Sequence, residues 1–465
     1  MVETITNINN AVNGVVWGPW MLGLLVGTGI FLSLRMGMPQ IVKIGTIMKM
    51  TAGKMFDPAA HQKDESGISP FQAVMTALAS TVGTGNISGV ATAISIGGPG
   101  AVFWMWVSAL FGMVTKFTEV TLAVFYSEKN AEGENVGGPM YYIEKGLGPK
   151  FKFLSVAFAI FATFASFGIG NMTQSNAIAT ALKSTVGLNP KITGVIIMVI
   201  AAVVLLGGIK SIANVTSTLV PAMGAMYVVA GLAALIINYK AVPGAFVTIF
   251  QCAFNPSSFG GGVLGYTVAN AVRYGFARGI FSNEAGLGSA PIAHAAAKVE
   301  GPVQQGFWGA FEVFFDTFLI CSITGLVVVS SGLYTDQSLV GADLSIAAFG
   351  QSIGKLGYIG VTVGTVLFAI STILGWSYYG EKSIEYLFKG SSITKYVKMG
   401  YRAVFVALTY VGCVAELTLI WGIADTLNGL MAIPNLMGVL GLSGVAIKLT
   451  KDYFAEQKAL KAHEK

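Results

Sequence analysis

The chain has 465 residues, of which 54% are hydrophobic and only 11% charged, with a formal net charge of +6. Soluble domains carry roughly 25% charged residues, so this composition excludes one and places the chain in the lipid bilayer as a polytopic membrane protein. Excess lysine in such a chain marks cytoplasmic loops and not nucleic acid as a partner. The cysteines, Cys252, Cys321 and Cys413, lie far apart without CxxC spacing, which indicates neither a metal site nor a disulfide framework.

Taking about 20 apolar residues per span, hydropathy predicts eleven membrane helices: 12–35, 70–96, 100–127, 151–183, 191–208, 212–238, 265–297, 303–331, 355–388, 399–417 and 420–447. The first has Arg35 behind it, the wrong polarity for a cleaved leader, and reads as a retained span. Alternating the loops puts Arg35, Lys43, Lys49, Lys54, Lys63, Lys129, Lys145, Lys298, Lys382 and the tail from Lys448 to Lys465 on one side, against only Lys183, Lys191, Lys240 and Lys355 on the other. The positive-inside rule then sets the N-terminus outside and the C-terminus in the cytoplasm. Two outer connections have room for a short surface helix, one at Phe246 to Phe254 and one around Ser345 to Gly350.

Span two is interrupted at Ala79-Ser80-Thr81-Val82-Gly83-Thr84-Gly85-Asn86. Glycine lowers helix propensity by about 1 kcal/mol relative to alanine, and a freed backbone group in hydrocarbon costs several kcal/mol unless something binds it. Taken alone, Gly83, Gly85 and Gly89 would equally suit close helix packing. Span seven repeats the feature at Phe281-Ser282-Asn283-Glu284-Ala285-Gly286-Leu287-Gly288, about two hundred residues on. Five spans begin at each break, and the odd count inverts the second half relative to the first. Paired interrupted helices in inverted halves point to a transporter's binding site rather than to two unrelated kinks. The expected division is a peripheral helix and loop over 1–65, repeats over 66–240 and 241–450, and a tail over 451–465.

The stretch Thr81 to Ala91, the turns Gly97-Gly98-Pro99-Gly100-Ala101 and Gly137-Gly138-Pro139-Met140-Tyr141-Tyr142, and the run Phe281 to Pro291 together resemble the alanine or glycine:cation symporter family of the APC superfamily. The resemblance implies an all-α leucine-transporter fold, with five plus five inverted helices in spans two to eleven and span one as a peripheral addition. It implies sodium-coupled symport of alanine and glycine across the cell membrane by alternating access, with no enzyme activity and no obligatory protein partner. Alternatives are proton coupling and, in another class, an uncoupled small-solute channel. Neither HExxH, GxSxG nor a paired catalytic carboxylate pattern is present to favour an intramembrane enzyme.

A zwitterionic amino acid needs both charges met in low dielectric. Amides of Gly83, Thr84 and Gly85, at the positive end of the restarted helix, suit the carboxylate. Carbonyls near Thr81, Phe281 and Ser282 suit the ammonium. By resemblance, the carbonyls of Ala79 and Val82 and the hydroxyls of Ser371 and Thr372 hold one sodium ion. The alternative for both hydroxyls is a bond back to their own helix. Trp376, one turn beyond Thr372, points by the same alignment into the chamber and leaves room for little more than a methyl group. Among the span-four amides Asn171, Gln174 and Asn176, the preferred substrate contact is Asn176, with Asn171 next. Lys116 and Glu119 are expected to pair one turn apart. Glu284, with Arg278 as partner, is a candidate for gating, for coupling or for proton titration. Asn86 matches a second sodium ligand by resemblance, but span eight offers no recognisable partners for it.

Overall fold

The computed structural model describes residues 2–55, 68–255, 267–297, 299, 301–415 and 418–463. Lys63, Lys298, Lys465 and the stretch 256–262 of the first outer connection lie outside these residues. The chain opens with α1 (Val2–Val16) and α2 (Pro19–Met36). The first interrupted segment follows as α3 (Pro70–Thr81) and α4 (Val90–Gly97), then α5 (Gly100–Phe125), α6 (Lys152–Phe167), α7 (Thr173–Val186), α8 (Pro190–Leu206) and α9 (Gly208–Ile237). After α10 (Val242–Phe254) come α11 (Val268–Asn283), which ends at the second break, α12 (Pro302–Val313), α13 (Ser322–Ser331) and α14 (Gly341–Ile353). The chain closes with α15 (Lys355–Leu387), α16 (Thr394–Val414), α17 (Thr418–Gly441) and α18 (Ser443–His463). Among the described residues eight helices are long and apolar enough to cross a membrane. What separates them from the eleven expected spans is the two interrupted segments and α8, which has only 17 residues.

The helix α3 begins with a reciprocal cap: the Gln72 amide donates to Ser69 Oγ at 3.2 Å and the Ser69 amide to Gln72 Oε1 at 3.1 Å, with Pro70 in the first turn. Every residue from Phe71 to Thr81 is buried, so the first break sits in the middle of the molecule. Helices α8 and α9 line the outside, where Val203, Leu206 and Val229 are exposed as a lipid-facing surface requires.

The two breaks are built differently. At the first, Val82 turns extended (φ −80°, ψ 98°) and the chain restarts as a wide π-helical turn, Gly85–Gly89. Further π-helical turns at Gly168–Met172 and Phe314–Cys321 join α6 to α7 and α12 to α13. Such turns occur disproportionately at functional sites. At the second, Gly286 and Gly288 take left-handed φ values of 89° and 82°, and a β-carbon at Gly288 would lie 2.7 Å from Asn435 Oδ1. Only glycine fits there. The helix resumes for just four residues, Pro291–His294, so span seven is a helix followed by a turn and not two half-helices.

Charges of α5 neutralise this second break. Lys116 Nζ donates to the Asn283 carbonyl at 2.7 Å, and Glu119 Oε2 accepts from the Gly286 amide at 3.3 Å. The cation meets the carbonyl end of α11 and the anion meets the amide beyond it, the arrangement the helix dipole favours. The expected Lys116–Glu119 pair is therefore corrected: both point at the break, and Lys116 pairs with Glu312 of α12 at 3.2 Å, both side chains fully buried.

The helix around Ser345 is not a surface helix. Leu344, Ser345 and Phe349 are buried, and Ser345 Oγ donates to the Ile87 carbonyl at 2.9 Å, satisfying a group in the first wide turn. Helix α10 covers Phe246 to Phe254 as expected. Between α5 and α6, strands β1 (Glu128–Lys129) and β2 (Asn135–Val136) form a short antiparallel hairpin. Its acids reach the ends of α15 and α16, with Glu134 2.6 Å from Lys382 and Glu132 2.6 Å from Lys398. The first helix is tied to the last span: Asn13 Nδ2 donates to Asp425 Oδ2 at 3.2 Å and Trp17 Nε1 to the Asp425 carbonyl at 3.0 Å.

Candidate functional site

A small cavity opens between the two breaks. Thr81, Gly83, Thr84 and Gly85 form one wall, Phe281, Ser282 and Glu284 face them, and Thr372 and Trp376 of α15 close a third side. Glycine suits this approach: a β-carbon at Gly85 would make a tight contact 3.3 Å from Ser282 Cα, and at Gly83 it would meet Thr372 Oγ1 at 2.6 Å. Trp376 Nε1 donates to Glu284 Oε1 at 2.9 Å, and Ser289 Oγ donates to Glu284 Oε2 at 2.6 Å. The indole packs edge-on to Tyr379 with ring centres 5.5 Å apart. It also lies against Gly170, where a β-carbon would be 2.3 Å from Trp376 Cβ.

Beside the cavity the Ala79 carbonyl receives two hydroxyls, Ser371 Oγ at 3.0 Å and Thr372 Oγ1 at 3.2 Å. Each hydroxyl also lies within hydrogen-bond reach of the Phe368 carbonyl, at 2.8 and 2.9 Å. A hydroxyl has one proton and two lone pairs. With its proton given to Phe368, each can turn a lone pair toward the space shared with Ala79, so bonding back to the helix and binding a cation are compatible. This donor set of hard, neutral oxygens fits an alkali cation rather than a transition metal.

A family model described as the sodium:alanine symporter family matches residues 2–465. The chain belongs to the sodium:alanine symporter family. Like its family, it is a transporter and not an enzyme, and a multi-pass membrane protein. It is 51% identical to the sodium/alanine symporter AgcS of Methanococcus maripaludis, with 96% of both chains covered. It is 45% identical to an uncharacterized transporter of Haemophilus influenzae, over 98% of this chain and 97% of the other. Among solved structures, MhsT in complex with L-phenylalanine superposes with a TM-score of 0.52 at 12% identity, covering 83% of this chain and 97% of that one. At that identity the likeness speaks for the fold, which is the leucine-transporter fold expected from the resemblance.

The cavity of this family member brings together eight of the ten residues expected to touch substrate: Thr81, Gly83, Thr84, Gly85, Phe281, Ser282, Thr372 and Trp376. Asn171 and Asn176 are not on its wall. Asn171 Nδ2 donates to the Phe405 carbonyl at 2.6 Å and Asn176 Nδ2 to the Gly412 carbonyl at 3.4 Å, so both hold α16. Gln174 lines the cavity instead and accepts from Thr84 Oγ1 at 3.0 Å. The π-helical turn at Gly168–Met172 carries the cause, since its wider winding rotates the residues beyond it relative to a regular helix.

Three further expectations are revised. Glu284 is held by Trp376 and Ser289, while Arg278 stacks 5.5 Å over the Phe281 ring, and no Glu284–Arg278 ion pair occurs among the described residues. The Gly83 amide is taken by Asn86 Oδ1 at 2.9 Å, which leaves Thr84 and Gly85 to present amides at the start of the restarted helix. The span-eight partner of Asn86 is Asp316, 2.5 Å from Asn86 Nδ2 and 3.0 Å from Ser282 Oγ. Thr81 Oγ1 bonds to the Ala77 carbonyl and to Glu312. Ser80, Ile169 and Asn428 also line the cavity, and no signal local to their own sequence marks them.

Proposed function

We propose that the chain couples entry of one sodium ion to uptake of alanine and glycine across the cell membrane by alternating access, with its N-terminus outside and its C-terminus in the cytoplasm. The observation that carries this reading is the oxygen cluster of Ala79, Ser371 and Thr372 lying against a cavity shared by both breaks. The amides of Thr84 and Gly85 receive the substrate carboxylate, aided by the positive end of the helix dipole. The carbonyl ends of α3 and α11 receive the ammonium, with Glu284 supplying negative charge nearby. Trp376, fixed by Glu284, leaves space for hydrogen or methyl as the side chain and excludes branched chains.

Sodium is held by the carbonyls of Ala79 and Val82 and the hydroxyls of Ser371 and Thr372, a reading supported by the contact of both hydroxyls with the Ala79 carbonyl. Its neighbour Thr372 also borders the substrate, so the same helix contact is completed by either ligand. Each ligand then favours the closed arrangement by its differential affinity, and each strengthens the other by the same factor. Alanine binding to the purified chain, followed by calorimetry with sodium replaced by potassium at constant ionic strength, tests this. Affinity for alanine should fall about tenfold or more without sodium. Equal affinity in both salts would contradict the reading.

A further inference from the structure

Asn428, on α17, is 1% exposed and lines the cavity, and its Oδ1 has no hydrogen-bond partner. Thr28, Gln40 and Ser108 also carry buried side-chain oxygens without a partner, and none of the three borders the cavity. Buried polar groups are nearly always paired, and an exception needs a reason. Among the amide and carboxylate oxygens on the cavity wall, Gln174 Oε1 is met by Thr84 and the Glu284 oxygens by Trp376 and Ser289. Asn428 Oδ1 is the one of these that accepts nothing among the described residues.

From this geometry we infer that Asn428 is a substrate-binding residue whose Oδ1 accepts a hydrogen bond from the ammonium of the amino acid. An ammonium has three N–H donors. The carbonyl ends of α3 and α11 supply acceptors from the two breaks, and α17 supplies another from outside them. This also gives the N-terminal helix a task. Asn13 Nδ2 donates to Thr426 Oγ1 at 3.0 Å as well as to Asp425, and Thr426 Oγ1 donates to Asn9 Oδ1 at 3.0 Å. Gly422 and Gly429 let α1 seat directly on α17, since β-carbons there would lie 2.7 Å from Asn9 Nδ2 and 2.3 Å from Val16 Cγ1. The brace grips α17 within one turn of Asn428, and α1 acts as a positioning element for that contact.

The inference rests on the amino-acid reading above, and its test separates the two. The purified full-length chain and its Asn428→Leu and Asn428→Asp variants are compared by calorimetry with alanine and with lactate, which carries a hydroxyl in place of the ammonium, and by thermal melting without ligand. Asn428→Leu removes an unpaired polar group, so it should melt no lower than the parent. It should bind alanine about tenfold or more weakly and narrow the preference for alanine over lactate, whereas Asn428→Asp keeps an acceptor and should retain alanine affinity within about threefold. A Leu variant that melts lower, that binds alanine as tightly as the parent, or that weakens alanine and lactate equally overturns the assignment. Uptake that ignores sodium while Asn428→Leu still loses alanine overturns the coupling and leaves the assignment standing. A parent chain that binds no alanine overturns both.

Discussion

In the proposed mechanism Trp376 sets the size of what the cavity admits, and its indole is fixed on two sides, by the hydrogen bond to Glu284 and by the close face of Gly170. Trp376→Ala should therefore admit leucine, seen as competition with alanine uptake that the parent chain does not show. Continued rejection of leucine would move selectivity elsewhere. At the proposed sodium site, Thr372→Val removes one oxygen while keeping the shape, and the sodium concentration for half-maximal uptake should rise about tenfold, the value of one ligand interaction with a charge. Residues next to the breaks were legible because glycine in an apolar run is a local signal with a physical cost. Of the side chains arriving from other helices, Thr372 and Trp376 were reached through the family resemblance and Asn428 was not reached at all. Asn171 and Asn176 carry the same amide as Asn428, and nothing in their local patterns tells an amide that bonds a neighbouring helix from one that faces an open cavity.

At the scale of elements, the fold joins the two breaks through one buried ion pair. Glu312 accepts from Thr81 at the end of α3, while its partner Lys116 holds the last carbonyl of α11. Lys116→Met leaves Glu312 in the interior with only Thr81 and His294, 3.1 Å from its Oε2, beside it, and should cost about 3–5 kcal/mol, read as a lowered melting temperature. The double variant Lys116→Met/Glu312→Leu should recover most of the loss. A sequence places Lys116 and Glu119 one turn apart and invites a local pair; the break between them and their separate partners exists only after folding. The hairpin β1–β2 makes a second clamp. Burial pushes the Glu134 carboxyl up, but Lys382 outweighs it and holds the carboxyl below its ordinary 4.5. A lowered folded-state value means the contribution is present above 4.5 and lost as pH falls through the folded value. The protection of the hairpin amides, meaning their exchange relative to the intrinsic rate at each pH, should fall on going from about pH 6 to pH 3, and unchanged protection would show that the ion pairs do not hold it.

The whole molecule follows from composition and two punctuation marks in it. An apolar chain must span the bilayer in helices, and the interruptions at Val82 to Thr84 and at Glu284 to Gly288 are tolerated because they are buried in protein, with Gly83, Thr84 and Glu284 on the cavity wall. That much of the architecture is visible before any coordinates. The asymmetry of the breaks is not, because both are written as Gly-x-Gly; only the left-handed backbone at Glu284, Gly286 and Gly288 makes the second a turn. At that turn Lys116 meets the Asn283 carbonyl and Glu119 the Gly286 amide, and the proposed site of the one sodium ion lies at the first break. The most direct measurement is uptake of labelled alanine into proteoliposomes with the sodium and proton gradients imposed separately at clamped membrane potential. Accumulation above equilibrium is expected with an inward sodium gradient and none with a proton gradient alone. Accumulation driven by protons without sodium, or equilibration that ignores both gradients, would overturn sodium-coupled symport.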